Sequence, residues 1–145
     1  GLLKDFTPIA GSTGLRTDAI QVEGGNFLLA WSDPSKHTIV VAAIHSSGNQ
    51  LVSGPFDLPA VGTRWPDYVS VTREPGGRAV LTWMDFRYYD YLFYALLDGN
   101  GGVVTPPMIF ASGSAEEPLI QSSFASYGNA PYLGAWDAFL PTLSR

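Results

Sequence analysis

The residues best suited to chemistry are a run dense in aromatics, Phe86-Arg87-Tyr88-Tyr89-Asp90-Tyr91, and a recurring pairing of tryptophan with aspartate. Tyr and Arg are favoured where proteins grip ligands, since a large ring or a planar donor fork makes much contact from one side chain. Arg87, Tyr88 and Tyr89 are therefore expected to form a contact surface for a glycan or a protein. Trp65, an aromatic directly before Pro66, is a second candidate for binding. The recurring pairs are Trp31 with Asp33, Trp83 with Asp85, and Trp136 with Asp137. Their rings could stack on sugars, and their carboxylates could bind a cation or move a proton.

The spacing argues for a structural role instead. Trp31 to Trp83 is 83 − 31 = 52 residues, and Trp83 to Trp136 is 136 − 83 = 53. Each tryptophan closes an apolar run at the same phase, so the rings are expected to pack between repeats, with the indole N–H finding a partner. Each aspartate is expected to accept backbone N–H groups in the loop that follows. Acid–base catalysis by two carboxylates needs unlike environments that push their pKa values apart. Equivalent repeats tend to supply like ones.

Little else offers chemistry. His37 and His45 are the two histidines, eight residues apart at opposite ends of one expected strand, so they cannot converge on a metal or a triad. There is no cysteine. No Gly-x-Ser-x-Gly elbow occurs. Asp98-Gly99-Asn100-Gly101-Gly102 opens like a calcium loop, but the aligned Ser46 to Gln50 carries no carboxylate, so a hairpin turn is expected. No catalytic residue, metal or cofactor is expected.

The elements that position these residues follow from the repeat. A shift of 52 aligns Thr38 to Ile44 with Asp90 to Leu96, and continues through the turn that follows. Each unit reads as four short strands. In the middle unit, Tyr68 to Thr72 is strand A, Ala79 to Trp83 strand B, and Tyr91 to Leu97 strand C. Phe86 to Tyr89 make the B–C loop. Strand D is Val103-Val104 and Met108 to Phe110, interrupted by Pro106-Pro107, whose missing donors place it at an outer edge. In the first unit, Asp18 to Glu23 is A, Phe27 to Trp31 is B, Ile39 to His45 is C and Leu51 to Leu58 is D. The chain is then all-β: four-stranded antiparallel propeller blades in tandem, ordered D-ABCD-ABCD-AB. Residues 1–12 would be the outer strand of a preceding blade, 13–60 the first blade, 61–112 the second and 113–145 part of a third. The alternative is a β-sandwich. So few blades cannot close a ring, since propellers take about four to eight. A homo-oligomer, or membership of a longer chain, is expected.

Composition narrows the class. Charged residues are 14% and the net charge is −5, so the chain lacks the basic face that nucleic acid demands. No apolar stretch is long enough to span a bilayer as a helix. Low charge with abundant Ser, Thr, Gly and Tyr fits an extracellular or cell-surface protein.

The stretch Ala79-Val80-Leu81-Thr82-Trp83-Met84-Asp85-Phe86-Arg87 resembles a repeat of about 50 residues found in large bacterial secreted and surface proteins. There a hydrophobic strand ends in Trp-x-Asp-x-Arg. An aromatic strand, an Asp-Gly turn and an outer strand follow, with a proline before the next unit. Tyr91 to Tyr94, Asp98-Gly99 and Pro118 match those features. The first unit departs, with Ser35 in place of Arg87, and in the third Asp137 directly follows Trp136. The resemblance implies blade-like repeats and no defined activity. The expected function is a non-catalytic binding or scaffold module. The alternatives are a segment of a secreted glycosidase-like propeller enzyme, or a structural subunit that assembles into rings or filaments.

Overall fold

In the computed structural model, residues 16–22, 24–48, 50–58, 65–86, 90–113, 119–127 and 130–138 are described. All regular structure among them is β. Sheet 1 holds β1 (Thr17–Gln21), β2 (Phe27–Asp33), β3 (Thr38–Ile44) and β4 (Leu51–Asp57), in that order. Sheet 2 repeats the order with β5 (Pro66–Arg73), β6 (Ala79–Phe86), β7 (Asp90–Leu97) and β8 (Val103–Ser112). A third, two-stranded sheet pairs β9 (Leu119–Tyr127) with β10 (Ala130–Ala138). All neighbours are antiparallel. The expected outer strand within 1–12 lies outside the described residues.

Turn chemistry sets these boundaries. Asp98 to Gly102 closes the β7–β8 hairpin, with Asp98 N–H donating to the Gly102 carbonyl at 2.8 Å. The Asp98 Oδ1 atom accepts the N–H groups of Asn100 and Gly102, each at 2.8 Å. The carboxylate thus organises the turn itself, as an Asx side chain does. Among the described residues, no three His, Cys, Asp or Glu side chains group so as to hold a metal ion.

Strand bounds shift by a few residues from expectation, most tellingly in β2, β6 and β8. β2 and β6 run past their tryptophans, so Asp33 and Asp85 lie within the strands, paired with Thr38 and Tyr91. β8 is continuous through Pro106-Pro107, because a register shift between the pairs Tyr94↔Met108 and Leu96↔Thr105 absorbs both prolines. β8 is nonetheless an edge strand, which a residue without an N–H requires.

One core joins sheets 1 and 2. Leu28, Ala30, Ile39, Val41 and Ala43 form one face of sheet 1. They pack on Ala79, Leu81, Trp83, Phe93, Ala95 and Leu97 of sheet 2. Period-2 alternation sends Leu29, Trp31, Val40 and Ala42 to the opposite face of sheet 1, where they form a separate buried cluster. The far face of sheet 2 buries Val80, Thr82, Met84 and Leu92. Strands buried on both sides read as continuous apolar runs, which explains Thr38 to Ala43.

Gly101 shows how closely the sheets meet. Its φ is +83°, and a Cβ there would lie 3.1 Å from both Leu28 Cδ1 and Val41 Cγ1. The β7–β8 turn of sheet 2 therefore rests directly on the face of sheet 1. Ser53 Oγ of β4 donates to the Asn100 carbonyl beside it.

Candidate functional site

The repeated aspartates come first, because they fix the geometry around the candidate surface. Asp33 and Asp85 are 1% and 0% exposed. A buried carboxylate must be hydrogen-bonded to be tolerated. Asp33 Oδ1 accepts the N–H groups of Ser35 at 3.0 Å and Lys36 at 3.3 Å, and the Ser35 hydroxyl at 2.6 Å. It fastens the loop that follows β2. Asp85 Oδ1 accepts the Trp65 N–H at 3.0 Å. It therefore holds the chain entering β5, a segment 20 residues upstream. The two aspartates share a phase, and each accepts backbone N–H groups.

That bond makes Trp65 notable. Its backbone is tied to a buried carboxylate, yet the residue is 56% exposed, the highest value among the large hydrophobic residues described. By register Pro66 pairs with Asp85, so Trp65 stands beside the end of β6 at Phe86. Arg87, Tyr88 and Tyr89 lie outside the described residues. Tyr91 packs partly buried against the main core, its ring tilted to Phe93 at 6.3 Å.

Next to Trp65 is a junction between the sheets. Arg16 Nε reaches Asp67 Oδ1 at 2.8 Å, and the Arg16 guanidinium lies 4.4 Å from the centroid of the Tyr68 ring. Asp67 Oδ1 also accepts the Tyr68 N–H at 2.8 Å. Tyr68 has φ +49°, an uncommon conformation for a bulky residue, in a bulge of β5 between Asp67 and Ser70. Three residues further on, Asp18 Oδ2 of β1 accepts the Val71 N–H at 2.8 Å and the Ser70 hydroxyl at 3.2 Å. Its other oxygen accepts the Ala19 N–H at 2.9 Å. One carboxylate thereby joins residues 19 and 71, which share a repeat position.

Arg16, Asp67, Tyr68 and Asp18 carry no motif, and sequence reasoning passed over them. A signal was present: 68 − 16 = 52 and 70 − 18 = 52, so complementary residues occupy the same position of successive units.

The repeated tryptophans are packing groups without the expected polar partner. Trp31 and Trp83 are 2% and 1% exposed, and neither indole N–H has a hydrogen-bond partner among the described residues. Their surroundings explain it. Trp83 stacks on Phe93, 5.4 Å between centroids and 7° between planes, and the facing side chains of sheet 1 are aliphatic. Trp136 and Asp137 lie on β10, where Trp136 pairs with Ser122. His37 and His45 flank β3 from opposite ends, as expected.

Comparison with protein-family models, curated proteins and solved structures returns no match.

Proposed function

We propose that the chain is a non-catalytic binding module built of propeller-type blades, from a secreted or surface bacterial protein, and that it contacts a glycan through Trp65. One observation carries the contact: Trp65 is the most exposed of the large hydrophobic residues described, and its backbone is pinned by the buried Asp85. An aromatic whose backbone is already fixed has less left to order when a ligand settles on it. Asp33 and Asp85, the carboxylates a catalytic reading would choose, are both buried and committed to backbone N–H groups.

Two features support blades over a two-layer sandwich. A sandwich buries one face of each sheet and leaves the other to solvent. Sheets 1 and 2 bury side chains on both faces. Sheet 2 turns its tryptophan face to sheet 1, and sheet 1 carries its own tryptophan on the side away from sheet 2. Repetition of one packing relation is the logic of blades. The resemblance to the bacterial Trp-x-Asp-x-Arg repeat points the same way.

The test is a glycan array probed with the wild type, Trp65→Ala and the double variant Tyr88→Ala/Tyr89→Ala. Binding by the wild type that Trp65→Ala abolishes is expected. A silent array, or binding indifferent to Trp65→Ala, overturns the reading.

A structural subunit is the second reading, and the β8 edge favours it. Val103, Val104, Met108, Ile109 and Phe110 are exposed on a strand without a charge from Val103 to Ser112, the kind of edge that pairs with other chains. Sedimentation over a range of concentrations decides it, since a single monomeric species would remove this reading.

A further inference from the structure

The polar groups beside Trp65 specify a ligand chemistry, provided that Trp65 is a contact surface as argued above. Trp65 and Asp67 are next-but-one neighbours, on either side of the buried Pro66 that begins β5. Asp67 spends its Oδ1 on Arg16 and on the Tyr68 N–H. Its Oδ2 has no hydrogen-bond partner among the described residues. Arg16 spends its Nε on Asp67 and holds its guanidinium over the Tyr68 ring. Its Nη groups likewise have no partner among the described residues. The pair is partly open to water, with the two side chains 52% and 33% exposed.

Beside an exposed indole there is thus a donor fork next to a carboxylate acceptor. Ion pairing, ring stacking and a backbone N–H hold both in place. The charges of the pair sum to zero, so it offers no surplus attraction for an anion, and the chain carries −5. What fits adjacent donor and acceptor groups is a neutral ligand with adjacent hydroxyls, each able to give and accept. What fits the ring is an apolar face. We propose that this surface binds a neutral sugar, with a pyranose face on the Trp65 indole and two vicinal hydroxyls read by Arg16 Nη and Asp67 Oδ2.

The experiment titrates the full chain with maltohexaose, cellohexaose and mannohexaose as neutral probes and hexagalacturonate as the acidic one, following tryptophan fluorescence. At least one neutral hexaose is expected to bind saturably, and hexagalacturonate more weakly. Arg16→Gln is expected to weaken the neutral sugar about tenfold, the effect of one lost charge-assisted hydrogen bond. Arg16→Lys keeps the charge opposite Asp67 and loses the planar fork. It should weaken binding similarly, with unchanged thermal unfolding showing that the junction is intact. Tighter binding of hexagalacturonate, or an unchanged Kd in a folded Arg16→Lys, overturns this assignment while leaving Trp65 as the contact. No binding by any of the four hexaoses also overturns it. The reading of Trp65 as a contact then falls only if the glycan array is silent too.

Discussion

Replacing Asp85 tests the link between the buried repeat and the exposed surface. Asp85→Ala removes the acceptor of the Trp65 N–H, a bond of 3.0 Å from a residue with no exposed surface. A hydrogen bond to a charged group contributes about 1.5–3 kcal/mol, and the unmet N–H adds a desolvation cost when its partner is deleted. A loss of about 2–3 kcal/mol follows. For a chain of this length, each kcal/mol lowers Tm by roughly 2–4 °C, so a drop of about 5–10 °C is expected. Asp85→Asn keeps an oxygen in place and gives up only the charge, at about 1 kcal/mol. The distinguishing assay is collisional quenching of tryptophan fluorescence. Releasing the Trp65 backbone should alter quenching by acrylamide at temperatures well below unfolding. Asp33→Ala, at the same repeat position, should lower Tm comparably without changing that quenching, since Asp33 holds Ser35 and Lys36. An Asp85→Ala protein with wild-type Tm and wild-type quenching would refute the idea that the carboxylate holds Trp65.

Three further outcomes follow from the packing. Gly101→Ala, at φ +83° and 3.1 Å from Leu28 and Val41, should cost about 1–3 kcal/mol in urea unfolding, because backbone strain and overpacking act together. Trp83→Phe should cost less than about 1.5 kcal/mol, since it sheds a buried N–H that has no described partner, whereas Trp83→Ala should cost about 3–5 kcal/mol. A loss above 3 kcal/mol for Trp83→Phe would mean that the indole N–H is satisfied. Asp18→Ala should speed amide exchange at Val71 and Ala19 together, as one carboxylate serves both N–H groups. Unchanged exchange at Val71 would argue against the inter-sheet bond.

Much of the strand order was legible because the repeat is carried by residues that cannot move phase. Trp31 and Trp83 must occupy the same face of their own sheets, and the turn residues around Gly25, Gly77 and Gly101 must recur where strands reverse. The ends of strands were less legible. Strand B is expected to end at Trp31 and Trp83, yet Asp33 and Asp85 still pair within their sheets, because a buried carboxylate can sit in a strand when a nearby N–H meets it. The Tyr68 bulge has no glycine to announce it, so its positive φ could not be read. The Arg16–Tyr68 contact joins elements 52 residues apart and shows only when units are compared position by position. Trp65 reads as a candidate from its place directly before Pro66, while its tether to Asp85 needs the register of β5 on β6.

The placement of the tryptophans gives each sheet a front and a back. Trp83 occupies the front of sheet 2 and meets the back of sheet 1, whose own front carries Trp31. Surfaces of this kind are complementary to one another and not to themselves. Two copies cannot join through them about a two-fold axis, because front would meet front. Contact through these faces is heterologous, and such contacts either close into a ring or continue without limit. A substitution on one front is therefore answered by a change on the neighbouring back, at a different repeat position. A unit inserted between sheets 1 and 2 would have to satisfy both, and it could be accepted in one orientation only.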